Sequence, residues 1–134
     1  MDYKYFTEKE LACRCGCSIL RMNDKFMSRI VRSRIAANVL CRKFEVPNTN
    51  AQFNVTSGCR CKAHNKAVGG VQNSRHLTTK DKECSAIDIG FKSYKQMIII
   101  LVALFVRGGF THLGINLKQN FIHVDDLRKW VWFY

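Results

Sequence analysis

The chain has 134 residues, 47% of them hydrophobic, which fits one domain over 1–134 that can bury roughly two-thirds of its unfolded surface. That composition excludes wholesale disorder. The longest apolar run, Met97 to Val106, is about half a bilayer-spanning helix, and the N-terminus lacks a cationic start followed by an apolar core, so neither a membrane span nor a secretory signal is expected.

The 22 Lys and Arg against 10 Asp and Glu give a net charge of +12. Such an excess favours anionic partners, nucleic acid or a negatively charged cell wall, without choosing between them. Lys25, Arg29, Arg32, Arg34, Arg42 and Lys43 are scattered and form no block. Most are expected on a solvated helix face.

Thr7-Glu8-Lys9-Glu10 is a capping box, which predicts a short helix running towards Gly16. From Asn23 to about Phe44, apolar residues recur at three- and four-residue steps and predict a long amphipathic helix. Pro47 closes it, and Asn48-Thr49-Asn50 is expected to turn. Phe53–Thr56 reads as a strand, Lys62–Val68 as a helix stopped by Gly69-Gly70, and Leu77–Cys84 as a loop.

Ile87–Phe91 is a predicted strand, and Ser93–Arg107 an apolar helix with Gly108-Gly109 behind it. Leu113–Asn116 and Phe121–Val124 are two further strands, and Trp130 to Tyr134 is a hydrophobic strand or packing segment. The sum is an α+β fold, with helices packed on a small, mostly antiparallel sheet.

Seven cysteines are many for this length. Cys13, Cys15 and Cys17 alternate tightly, Cys59 and Cys61 form a second pair, and Cys41 and Cys84 stand apart. Three readings are open: a structural metal on Cys13, Cys15, Cys17 and Cys61, a disulfide between the two clusters, or buried free thiols.

Three short motifs carry the chemistry. They are Ser74-Arg75-His76, Ala86-Ile87-Asp88-Ile89 and Phe121-Ile122-His123-Val124-Asp125. Each sets a polar residue in an apolar, strand-like context. Alternation puts Asp88 opposite its flanking isoleucines, and His123 on one face with Phe121 and Asp125. Two imidazoles and a carboxylate can hold a catalytic zinc while leaving its fourth position open. Arg60 is a cation suited to an oxyanion or a substrate carboxylate.

Taken together with Ser57-Gly58-Cys59-Arg60-Cys61, His64-Asn65 and Val68-Gly69-Gly70, these motifs resemble the zinc D-alanyl-D-alanine carboxypeptidases and their phage endolysin and virion-associated relatives. The resemblance runs from about Phe6 to about Leu127. It implies a fold of the hedgehog/D-alanyl-D-alanine peptidase type, one zinc held by His76, Asp88 and His123, and Arg60 and Ser74 contacting substrate. His64 and Asn65 would be structural, positioning the loop to Gly69-Gly70.

The implied activity is cleavage of peptidoglycan stem peptides, as carboxypeptidase or endopeptidase, by attack of metal-activated water. The implied setting is a bacterial host cytoplasm or a virion, with action on the wall after release.

The pattern departs from the family at three places. Eleven residues, Leu77 to Ile87, separate His76 from Asp88, more than is usual. An outward bulge around Thr79–Glu83 would leave the metal geometry intact, and Asp81 is a weaker rival ligand. A glycine expected shortly before the aspartate is replaced, with Cys84 or Ser85 nearby. Asn120 stands three residues before His123, where many relatives carry the proton-accepting residue. Asp125 is the first substitute, as base or as a group orienting a ligand imidazole, followed by His112 and Glu83. Two alternatives to a peptidase remain: a metal-binding module of the same fold without hydrolysis and, ranked below it, a basic nucleic-acid-binding protein.

Overall fold

The computed structural model describes residue 3, residues 5–47 and residues 53–134. The turn expected at Asn48-Thr49-Asn50 lies outside the described residues. Four helices and five strands follow in the order α1 (Glu8–Leu11), α2 (Asp24–Lys43), β1 (Asn54–Ser57), α3 (Lys62–Ala67), β2 (Ala86–Gly90), α4 (Tyr94–Val106), β3 (Leu113–Asn116), β4 (Phe121–Asp125) and β5 (Val131–Phe133). The architecture is α+β, as expected. Among the described residues no helix is long and apolar enough to cross a membrane.

The capping box at Thr7 forms, with the Glu10 N–H donating to Thr7 Oγ1 at 3.2 Å and the Thr7 N–H to the Glu10 carboxylate at 2.7 Å. The helix nevertheless ends at Leu11, short of Gly16, because Ala12 is already extended. Its end is taken by tertiary contact instead: the Leu11 carbonyl accepts the Cys59 N–H at 2.8 Å. A Cβ on Gly58 would lie 2.4 Å from that same carbonyl, so only glycine admits the approach.

Helix α2 starts at Asn23, whose side chain accepts the Phe26 N–H at 2.9 Å. It buries Phe26, Met27, Ile30, Ala37 and Cys41. Helix α4 starts at Ser93 and buries Ile99, Ile100, Ala103 and Leu104. These two faces pack together and against the inner side of the sheet, where Ile87, Ile89, Ile122 and Val124 are fully buried.

The helix cations are not all solvated. Arg29 donates to the Gly108 and Gly109 carbonyls at 2.7 and 2.9 Å and lies 4.0 Å over the Phe110 ring. It thereby satisfies carbonyls just past the end of α4. Arg34 sits over Tyr5 and Phe6 and donates to the Tyr5 carbonyl. Both cations lie beside rings and carbonyls that linear sequence spacing does not display.

The strand order is β1-β2-β4-β3-β5, antiparallel throughout except for the parallel β3/β5 edge. A bulge between Val55 and Ser57 shifts the β1 register, and the pairing then aligns one row across all five strands: Ser57, Asp88, His123, Gly114 and Trp132. Residues in register share a sheet face. The face opposite the helices therefore carries a carboxylate, an imidazole and an indole side by side.

Candidate metal centre

The row across the sheet supplies two of the three expected donors directly. Asp88 on β2 pairs with His123 on β4, and the His123 Nδ1 lies 3.0 Å from Asp88 Oδ1. The third donor comes from the loop before β2. An isolated bridge pairs Arg60 with Leu77, the Arg60 N–H donates to the His76 carbonyl at 2.9 Å, and the Thr78 N–H donates to the Arg60 carbonyl at 2.7 Å. This brings His76 over the sheet, with Nε2 at 3.1 Å from Asp88 Oδ1 and 3.2 Å from His123 Nδ1. Ligands about 2.0–2.1 Å from a tetrahedral zinc stand roughly 3.3 Å apart. The three donor atoms have that spacing.

The remaining ring nitrogens fix which atoms face inward. His76 Nδ1 is 2.7 Å from the Gly58 carbonyl, an acceptor only, so that nitrogen carries the hydrogen and Nε2 presents its lone pair. His123 Nε2 is 2.7 Å from Asp125 Oδ2, so its hydrogen belongs to the Asp125 contact and Nδ1 turns towards Asp88. A carboxylate or carbonyl behind each imidazole is the support that metal-binding histidines use. The donor set fits zinc.

The electrostatics fit a site that wants a cation. Burial opposes charge on His123, yet hydrogen bonds to Asp125 and Asp88 outweigh it and raise the imidazolium to about 9. Burial likewise opposes ionisation of Asp88, but His123 and His76 hold its carboxyl well below the usual carboxylate range. His76, 2% exposed, is pushed down by burial and is neutral.

A cavity of about 1000 Å³ opens above this face, lined among others by Arg60, Ser74, His112, Trp132 and Tyr134. The Arg60 guanidinium is 3.3 Å from Asp88 Oδ2 and is held by Ser57 Oγ at 3.1 Å and Asn65 Oδ1 at 3.5 Å. Asn65 also donates to the Val71 carbonyl at 2.9 Å, and a Cβ on Gly70 would lie 2.0 Å from its Oδ1. Asn65 thus links Arg60 to the Gly69-Gly70 loop. Ser74 is buried and its hydroxyl accepts the His76 N–H at 3.2 Å. His64, on α3, is outside the donor cluster.

Asp125 is the hub beside the three donors. It accepts from His123, from His112 Nδ1 at 2.9 Å and from the Leu127 N–H at 2.9 Å. His112, His123 and Asp125 form a second grouping that shares His123 through its other nitrogen. Asn120 sits in the β3–β4 turn with φ of 54° and lines a separate cavity. Glu83 is exposed, bonds Asn23 at 3.4 Å and lines a third cavity. Asp81 is exposed on the Thr79–Glu83 bulge and is not part of the donor cluster. In the Thr79–Glu83 segment Lys80, Asp81 and Glu83 are exposed, while Lys82 ties it back, donating to the Ser74 carbonyl at 2.8 Å.

Two further features are not legible in the linear sequence. Arg75 makes a two-pronged pair with Asp126, at 2.9 and 2.8 Å, which locks the loop carrying His76 to the end of β4. Trp132 lies with its ring centroid 4.5 Å from His112 and 5.6 Å from His123. Gly114 makes room for it, since a Cβ there would lie 2.3 Å from the indole. The glycine inside the apolar strand Leu113–Asn116 was the one available signal, because a glycine in a strand often marks a close approach.

The family model of peptidase M15 matches residues 4–125 of this chain. The chain belongs to the peptidase M15 family. No curated protein and no solved structure gave a match. M15 peptidases use zinc, and His76, Asp88 and His123 are one of the groups among the described residues whose donor atoms could hold a metal ion. Membership carries hydrolase and metallopeptidase chemistry and a peptide substrate.

Proposed function

We propose that this M15 peptidase cleaves peptide bonds in peptidoglycan stem peptides, with a zinc ion held by His76 Nε2, His123 Nδ1 and one oxygen of Asp88. The observation that carries the reading is the convergence of those atoms at 3.0–3.2 Å while the opposite ring nitrogens are anchored on Gly58 and Asp125. Zinc bound there would polarise a carbonyl and bring the acidity of a water near neutrality.

The chain's own groups supply the rest. Arg60, held by Ser57 and Asn65 beside Asp88, offers a fixed positive charge for a substrate carboxylate or a developing oxyanion. Ser74 stands at the cavity wall, where it also steadies the His76 backbone. Asp125 holds both His123 and His112, so its role is positioning. With Nδ1–H committed to Asp125, His112 keeps Nε2 to take up a proton and return it to the leaving amine. The large cavity favours an extended peptide over a small metabolite, and the +12 charge favours adsorption to an anionic wall.

The test is digestion of purified stem peptides and intact walls, with products read by mass spectrometry, before and after chelation and zinc return. Chelator-sensitive cleavage at one defined bond is expected. A zinc-loaded protein that cleaves neither substrate at any pH would overturn the reading in favour of a metal-binding module without hydrolysis.

A further inference from the structure

The sequence places Cys13, Cys15 and Cys17 in one short turn and Cys61 far along the chain. The fold brings them together at a point distinct from the histidine cluster. All four sulfurs lie within 4.8 Å of one another. Cys13 Sγ is 3.5 Å from Cys15 Sγ, and Cys15 Sγ is 3.6 Å from Cys61 Sγ. Four thiolates about 2.3 Å from a tetrahedral zinc would stand roughly 3.8 Å apart. A disulfide needs about 2.05 Å and could join only two of them.

The backbone is shaped around this point. Gly16 has a φ of 98°, and this left-handed residue turns the chain between Cys15 and Cys17. The Cys13 N–H closes the loop on the Ile19 carbonyl at 2.9 Å. Backbone N–H groups already point at two of the sulfurs: Cys61 donates to Cys13 Sγ at 3.4 Å, and His64 donates to Cys61 Sγ at 3.4 Å. Amide donors of that kind favour the thiolate form that a metal requires.

We propose that Cys13, Cys15, Cys17 and Cys61 bind a second zinc ion, a closed structural site with no position left for substrate. All-sulfur tetrahedral coordination selects zinc among the common divalent ions. The role follows from what the ligands join. Cys61 follows Arg60 directly, and its side chain caps α3, which carries Asn65. Arg14, between two of the ligands, donates to the Val55 carbonyl at 2.8 Å. The ion therefore fastens the N-terminal segment to the turn that presents Arg60, and it acts on the reaction only through that positioning.

The experiment uses the full chain expressed with zinc and purified under reducing conditions. Metal analysis is expected to find about two zinc ions per chain, about half of that in the Cys15→Ser, Cys17→Ser double variant, and about half in His76→Ala, each variant having lost a different ion. Cobalt substitution separates the two: a strong thiolate-to-cobalt charge-transfer band is expected in the wild type and in His76→Ala, and not in the cysteine variant. Zinc should shield all four thiols from alkylation until a chelator is added. If the cysteine variant fails to fold, the wild-type cobalt spectrum and alkylation pattern decide alone. Zinc that vanishes entirely in His76→Ala, no thiolate band, or an intact mass showing a disulfide within the cluster would each overturn the proposal.

Discussion

Asp125 illustrates how a single residue's role depends on partners that its sequence neighbours do not reveal. The order Ile122-His123-Val124-Asp125 places it on the face of His123, and from spacing alone a proton acceptor and an orienting partner are equally good readings. Its three hydrogen bonds, from His123, His112 and the Leu127 backbone, commit the carboxylate to holding imidazoles. Asp125→Asn keeps the shape and removes the charge. It should weaken zinc binding by about 10–100-fold, the usual cost of losing such a support, as read by competition with a fluorescent chelator. Unchanged affinity together with loss of the acidic limb of the pH–rate profile would make Asp125 the base instead. His112→Gln should do the reverse: zinc content stays at the wild-type level while kcat falls by about 10²–10⁴. A fall in zinc content of the same size would move His112 from proton carrier to metal support.

Asp88 and His123 were legible in the sequence because each is a polar residue in a run that alternation assigns to a strand, whereas His76 stood out through the ordered motifs that resemble the zinc D-alanyl-D-alanine carboxypeptidases. His112 was a candidate proton acceptor from the sequence, but its hydrogen bond to Asp125 and the Arg75–Asp126 pair were not legible, because nothing local distinguishes a buried hydrogen-bond partner from a surface charge. At the level of elements, the helices and strands followed from caps and periodicity. Their ends did not always follow: α1 stops at Leu11 because Cys59 takes its last carbonyl, a contact 48 residues away in sequence.

The edge strand β5 is the other case. Its aromatic composition marked it as a strand or a packing segment, but the parallel pairing with β3 and the placement of Trp132 over His112 depend on Gly114. Gly114→Ala sets a methyl 2.3 Å from the indole, so the edge must shift. Since β5 is short and lies at the sheet edge, the loss in urea unfolding should fall near the low end of the overpacking range, about 1 kcal/mol. In a Trp130→Phe background the remaining indole emission should move to the red as Trp132 leaves the histidines. An unchanged spectrum and stability would show that β5 does not form this wall.

For the whole molecule, the layer of α2 and α4 buries the inner sheet face, and the outer face is left to polar groups that repel burial. The His76 loop, β2 and β4 meet there and bring two imidazoles and a carboxylate within 3.0–3.2 Å of one another. Zinc binding should therefore be coupled to global stability. A ligand at about a thousand times its Kd adds about 4 kcal/mol to folding, and for a chain near this size each kcal/mol raises Tm by about 3–5 °C. In the Cys15→Ser, Cys17→Ser background, where only the histidine site responds, saturating zinc should raise Tm by about 10–20 °C. Adding His76→Ala to that background should abolish the rise, since the loop then contributes no donor. Differential scanning calorimetry at several zinc concentrations makes the measurement, and Tm should climb with the logarithm of free zinc. A Tm independent of zinc, in a protein shown by metal analysis to be loaded, would mean that the unfolded chain binds the ion as tightly as the folded one, so that the folded arrangement of the three donors adds nothing to its affinity.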